Sequence, residues 1–197
     1  MSREIVLGPL RLQPEWRITL FVLLLVPLMV NLGFWQLSRA DEKAALAEDF
    51  ARKQAQAPVP LAAAAGGSAG ELAYLPVRLR GQYLQEYFLL DNRIQERKYG
   101  NEVVSVFALD GGGLVLLNRG WVAADPARRS LPAVESPAGV QEVSGHVYVA
   151  PGDPYLLGEQ ALPAGWPKQV QAIEADKMAA ALPGQLLLPY PVRIDSG

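Results

Sequence analysis

ITLFVLLLVPLMVNLGFWQLS, residues 18–38, is a run of 21 uncharged residues between Arg17 and Arg39. At about 1.5 Å of rise per residue, a helix of this length covers the roughly 30 Å hydrocarbon core of a bilayer. Residues 18–37 therefore read as a transmembrane helix. Trp16 and Trp35 stand near its two ends, where an amphipathic indole suits the headgroup level. Pro27 removes one backbone donor in mid-span, a loss that membrane helices make good locally. The run ends in the bulky Gly33-Phe34-Trp35-Gln36-Leu37 and not in a small-residue cleavage site, which marks an uncleaved anchor rather than a signal peptide. Arg3, Arg11 and Arg17 precede it, and Arg39, Lys43, Arg52 and Lys53 follow. That balance leaves the orientation open.

Outward from the span, residues 1–17 form a short tail. On the other side, residues 38–57 are rich in helix formers and place Glu48 against Arg52 and Asp49 against Lys53 at i, i+4, so the helix is expected to continue into water. Pro58 and Pro60 stop it, and residues 58–70, PVPLAAAAGGSAG, read as a flexible linker without a burial pattern. From residue 71 the period changes to two, with Leu75, Val77 and Leu79 alternating with Arg78 and Arg80. Further strands are expected at Tyr87 to Asn92, Val103 to Leu109, Leu114 to Val122, Val143 to Val149, near Lys168 to Ala172, and at Leu186 to Ile194. A short helix is expected from Glu174 to Leu182. Asp110-Gly111-Gly112-Gly113 supplies the positive-φ residues of a tight hairpin, and the Pro/Gly-rich stretches 123–139 and 150–167 read as loops. The expected fold class is α+β: one N-terminal transmembrane helix, then a single domain, residues 71–197, that is mainly an antiparallel sheet or open barrel with one short helix.

Composition narrows the function. A net charge of -2 with no long basic run excludes a general affinity for nucleic acid. With no cysteine and a single histidine, His146, no protein zinc site or histidine-rich copper site is expected, and no metal ligand is assigned. His146 lies in VSGHVYV and reads as an exposed or edge-strand residue. No serine sits in a Gly-x-Ser-x-Gly elbow, and Gly111 to Gly113 lead into a strand with no following Lys-Ser or Lys-Thr. No catalytic residue is assigned, and the chain is not expected to be an enzyme. Two polar clusters remain. Asp91, Asn92, Arg93, Arg97, Lys98 and Tyr99 crowd a connection that reads as a solvated turn. Asn118-Arg119-Gly120 interrupts an apolar run before Trp121, an arrangement that lets a strand bend while the arginine finds a carboxylate or backbone partner. As a ligand site, the arginine would suit a carboxylate of an amphiphile or partner protein, and Trp121 would add flat apolar contact.

At these residues the sequence resembles the Surfeit locus protein 1 family, membrane factors that assist assembly of cytochrome c oxidase. Gly33-Phe34-Trp35-Gln36-Leu37-Ser38-Arg39, followed by Lys43, is similar to the family's Gly-x-Trp-Gln-x-x-Arg signature. The likeness continues through Val77 to Tyr83 with Gly81, Asn92-Arg93, Tyr99-Gly100, Val115-Leu116-Leu117-Asn118-Arg119-Gly120-Trp121-Val122, Gly145 and Leu188-Pro189-Tyr190. It implies a cytoplasmic tail and a domain outside the cytoplasmic membrane of a bacterium, the mitochondrial inner membrane being the alternative. It also implies a role in inserting or stabilising haem in the catalytic subunit of a haem-copper oxidase, with that subunit and the lipid bilayer as partners and haem a as candidate cargo. The partner- or haem-binding candidates are then Gly33, Trp35, Gln36, Arg39, Asn118, Arg119 and Trp121. The family normally adds a second membrane helix carrying a histidine, expected here after residue 197, so no haem ligand is named within this chain. The competing readings are a stably bound accessory subunit of a membrane respiratory complex and a membrane-anchored enzyme using His146.

Overall fold

The computed structural model describes residues 5–7, 10–12, 15–64, 66–150, 152, 158, 160–182, 184 and 186–195. Contacts divide the chain into two units, Met1–Ala51 and Arg52–Gly197. In the first, β1 (Ile5–Leu7) and β2 (Leu10–Leu12) pair antiparallel within the tail, a pairing the sequence did not announce. The helix α1 (Trp16–Gln54) then runs unbroken through the apolar span and the hydrophilic extension, ending within the second unit. It is long and apolar enough to cross a membrane, none of its residues is buried among the described ones, and it is the N-terminal transmembrane helix of the fold. Asn31 is the polar residue one turn after Pro27, and its Nδ2 donates to the Pro27 carbonyl at 2.8 Å. The amide's donor is thus turned onto the helix itself, which lowers its cost in an apolar surrounding.

The second unit contains β3 (Val59–Pro60), a 3-10 turn (Leu61–Ala64), α2 (Ala69–Leu72), β4 (Pro76–Gln95), β5 (Lys98–Leu109), β6 (Leu114–Ala123), β7 (Val140–Val147), β8 (Lys168–Val170), α3 (Ala175–Ala180) and β9 (Val192–Ile194). β4 pairs with β5, β5 with β6, β6 with β9, β9 with β7, and β7 returns to the first half of β4. The pairings therefore close into a five-stranded ring. All its ladders are antiparallel except β6–β9, and β3 and β8 add short parallel pairings to β4. The sheet is mainly antiparallel, as alternation led one to expect, with short parallel pairings added, and the pairings close the barrel. The reason lies in β4, whose 20 residues offer one edge to β5 and the other to β7 and then β8. It joins the alternating stretch around Leu75 to Arg80 to the strand expected at Tyr87 to Asn92, and register irregularities at Tyr83/Tyr87 and Leu90/Arg93 absorb the polar interruptions.

Leu114-Val115-Leu116-Leu117 shows why β6 has an apolar run instead of alternation. Val115 and Leu117 face the ring interior with Val77, Leu79, Phe107, Val147 and Val192. Leu114 and Leu116 face outward, where Val170 of β8, Met178 of α3 and Leu182 cover them together with Phe88 and Val106. Both faces are dry, so neither needs a polar side chain. Each such leucine or valine contributes roughly 1.5–3 kcal/mol on burial.

Residues 58–70, read as a flexible linker, are instead part of this packing. Val59 pairs with Val77, and Val59, Leu61 and Ala64 lie against the interior cluster. Lys53 Nζ donates to the carbonyls of Gly70 and Ala73, and the Ser68 hydroxyl and N–H donate to Glu71, holding that exposed carboxyl below its usual range. Three apolar residues spread among alanines and glycines carry no period, and their burial depends on a wall supplied by β4. The glycine hairpin forms as expected, with the Leu109 N–H donating to Gly113 O at 3.0 Å and positive φ at Gly112 and Gly113. The other end of β5 begins at Lys98, five residues before the expected start, because Glu96 and Arg97 take positive φ in a two-residue turn from β4. The expected final strand is reduced to Val192–Ile194, preceded by an isolated bridge between Leu187 and Leu114.

Candidate functional site

The polar interruption in β6 is a bulge. Glu102 pairs with Trp121 and Val104 with Asn118, so β6 carries one residue more than β5 across this interval. Gly120 accommodates it at φ +96°, and its N–H donates to Asn118 Oδ1 at 2.9 Å. The other end of the Asn118 amide, Nδ2, donates to Glu102 Oε2 at 2.8 Å. A buried asparagine thus fixes the bulge and holds a carboxylate.

Glu102 gathers the neighbouring charge. Its Oε1 accepts from Arg193 at 3.0 Å, and Arg93 Nε lies 4.0 Å from Oε2. Two guanidinium groups face one carboxylate that is only 20% exposed. Arg119 makes no bond to an acid among the described residues: it donates to the Glu135 carbonyl at 3.0 Å and lies 5.1 Å above the Tyr83 ring. Burial pushes the Tyr83 hydroxyl pKa up, and the Arg119 charge opposes that. Trp121 Nε1 donates to the Arg93 carbonyl at 3.0 Å while its ring covers Gly100, where a Cβ would stand 2.3 Å from a ring atom. Tyr99-Gly100 and Trp121 are therefore one fitted unit, and only glycine leaves the indole its place.

These side chains border a cleft of about 370 Å³ lined by Glu102, Arg119, Gly120, Trp121, Arg193 and Asp195, with Gln95 and Ile194. Asp195 also approaches the only histidine, His146 Nδ1, at 3.2 Å. The arrangement can grip an anion through Arg119, which forms no ion pair among the described residues although Glu102 and Asp195 line the same cleft, and offer the indole face of Trp121 to an apolar plane. Among the described residues no group of three or more potential metal-ligating side chains occurs.

The structure thus brings Asn118, Arg119 and Trp121 together in the second unit, whereas Gly33, Trp35, Gln36 and Arg39 belong to the first. At about 100° per residue, those four fall within an arc of about 160° on α1. Arg39 is held by Glu42 at 2.9 Å, and a Cβ on Gly33 would meet nothing within 4 Å. Sequence reasoning missed Glu102 and Arg193. A lone acid inside Asn101-Glu102-Val103-Val104-Ser105-Val106-Phe107 was a usable signal, because an unpaired carboxylate is seldom half-buried in a strand. Its partner, 91 residues away, had no local signal. The turn cluster at Asp91 is also more than solvated. Asp91 accepts from Tyr99 OH and from the Asn92 N–H at 2.6 Å each, with Arg128 at 3.8 Å, and burial followed by Asp91 raises the Tyr99 pKa.

An N-terminal membrane helix followed by a small closed barrel with an arginine- and tryptophan-lined cleft defines a membrane-anchored β-barrel protein. Within that class, the SURF1 family model matches residues 23–197, nearly the whole of helix and barrel, and the chain belongs to the SURF1 family. It is similar to a SURF1-like protein of Dictyostelium discoideum, 33% identical over 105 residues. That match covers 49% of this chain and 39% of the relative, so the chain is matched to less than half of that protein's length.

Proposed function

We propose that this protein is an assembly factor for a haem-copper (cytochrome c) oxidase, held in a bacterial cytoplasmic membrane with its barrel in the periplasm, and that it helps haem enter or remain in the catalytic subunit. The observation that carries the reading is the family match across residues 23–197, which takes in both the helix signature and the Asn118 to Trp121 cleft. In this role α1 meets a partner helix inside the bilayer through the side bearing Gly33, Trp35, Gln36 and Arg39, since a glycine permits close backbone approach. Arg119 and Trp121 then engage an anionic, partly apolar surface of the oxidase or its cargo. Haem is cargo in this scheme, and no iron ligand is assigned among the described residues. The action is non-enzymatic, resting on binding and orientation.

The test is affinity capture of the full chain from membranes, followed by haem analysis of the oxidase in cells with and without the gene. Co-purification of the catalytic subunit, together with an oxidase depleted in haem after deletion, is the expected result. No captured subunit and unchanged haem content would overturn it. Stoichiometric retention in the active enzyme would replace it with the accessory-subunit reading.

A further inference from the structure

Asn31 stands three residues past residue 28, the middle of the uncharged run 18–38. That is about 4.5 Å along the axis, well inside a hydrocarbon core roughly 30 Å thick, and its short side chain reaches neither headgroup level. A carboxamide offers two donor protons and two acceptor lone pairs. One proton is spent on the Pro27 carbonyl. The second proton and Oδ1 have no partner among the described residues. A further acceptor lies close by: Pro27 has no N–H, so the Leu23 carbonyl receives no bond from the residue four positions on. With no water in the hydrocarbon core, such groups find their partners on a neighbouring helix.

The surroundings of Asn31 on the helix suit such a neighbour. At about 100° per residue, Leu20, Leu24, Pro27, Asn31, Phe34 and Ser38 share an arc of about 80° on α1. All six are exposed. They follow one another at steps of four and three residues, the heptad spacing at which two helices pack with a crossing of about 20°. Asn31 is the carboxamide in this seam, between apolar Leu24 and Phe34. None of Gly33, Trp35, Gln36 and Arg39 falls within the arc, so this side is separate from the one proposed to meet an oxidase helix.

We propose that this side of α1 pairs in the bilayer with α1 of a second copy of the chain, the two helices running parallel and joined by a hydrogen bond between their Asn31 side chains. Two copies anchored by the same helix in the same orientation carry Asn31 at the same depth. The spare proton of one amide then meets the empty oxygen of the other, and a single residue type supplies both halves of the bond. An unrelated helix has no such reason to present a donor at that level. A lone asparagine in an apolar heptad seam fixes register and partner number in the same way in coiled coils. The pairing requires no oxidase and stands whatever the barrel itself engages.

The chain has no cysteine, so single introduced cysteines report on the seam. Full-length protein carrying one cysteine is reconstituted alone in phosphatidylcholine vesicles at low protein-to-lipid ratio and oxidised with copper phenanthroline. Leu20→Cys and Leu24→Cys should give disulfide-linked dimers. Val22→Cys and Met29→Cys, on the far side of the helix, should give several-fold less. Asn31→Leu added to Leu24→Cys should lower cross-linking about fivefold, the scale of one hydrogen bond between membrane helices. Asn31→Gln, which keeps a carboxamide, should retain most of it. Asn31 bonds only to its own helix, so these variants leave the barrel folded. A protein that stays monomeric, cross-linking strongest at Val22→Cys or Met29→Cys, or equal cross-linking after Asn31→Leu would overturn the pairing. No oxidase is present, so either outcome leaves the assembly role to its own test.

Discussion

β5 is bounded by two tight turns that solve one geometric problem differently. At its C-terminal end positive φ falls on Gly112 and Gly113, residues without a Cβ. At its N-terminal end Glu96 and Arg97 adopt φ of 49° and 63° with full side chains, at a cost of about 1 kcal/mol each. The relaxed turn borders an open depression lined by Asp110, Gly111, Gly112 and Leu188. The strained one stands beside the cleft, where Gln95 contributes to the lining and the Arg93 carbonyl receives the Trp121 indole. Strain of this kind persists only where surrounding contacts over-determine the backbone. The contrast teaches that the turn beside the cleft is shaped by side chains, and the glycine turn by backbone.

The sharpest way to break the comparison is Gly100→Ala. Its new methyl would meet both the Trp121 ring and the Val122 carbonyl at 2.3 Å, so a loss of about 3 kcal/mol is expected, read as a fall in denaturation midpoint. Trp121→Ala should cost about 2–3 kcal/mol by removing the indole from Gly100 and its bond to Arg93. Unchanged stability would mean that the cleft end is not held by this ring. At the other turn, Gly113→Ala should destabilise by about 1–2 kcal/mol, since φ is +83° there. Arg97→Gly should do the reverse, gaining about 0.5–1 kcal/mol by releasing the strained turn; if it destabilises, the side chain itself supports the hairpin. The smallest effect concerns pH. Burial and Asp91 raise the Tyr99 pKa, so the neutral phenol favours the folded state. That contribution is complete below about pH 10, the ordinary tyrosine value, and is lost as pH rises through the folded value. Melting temperatures of Tyr99→Phe should accordingly decline less steeply than wild type above pH 10.

How much was legible depended on range. The long apolar helix, its continuation past Arg39 and the Asp110 to Gly113 hairpin are local patterns; the helix runs on to Gln54, and the hairpin forms with positive φ at Gly112 and Gly113. Alternation in Leu75 to Arg80 placed the inward and outward faces of β4 correctly. It could not show that β4 and the following apolar segment were one strand, because Gln85-Glu86 breaks the pattern where the register shifts. Asn118, Arg119 and Trp121 were visible as an interruption of an apolar run, and the bulge gives that interruption its cause. Glu102 and Arg193 become members of the same cleft only through the β5–β6 bulge and the β6–β9 pairing, which no short-range spacing encodes. The segment at residues 58–70 failed for a related reason: its order is borrowed from β4.

The closing strand sets a timetable for this domain. β9 joins β6 through Leu117 to Val192 and Asn118 to Arg193, and it joins β7 through three further residue pairs. As the chain emerges during synthesis, β6 and β7 must wait with open edges until the residues around 192–194 arrive, an interval in which unpaired strands invite the wrong neighbour. Arg193 sits on that same strand. The barrel therefore closes its strand edges and completes the lining of the cleft with the same segment.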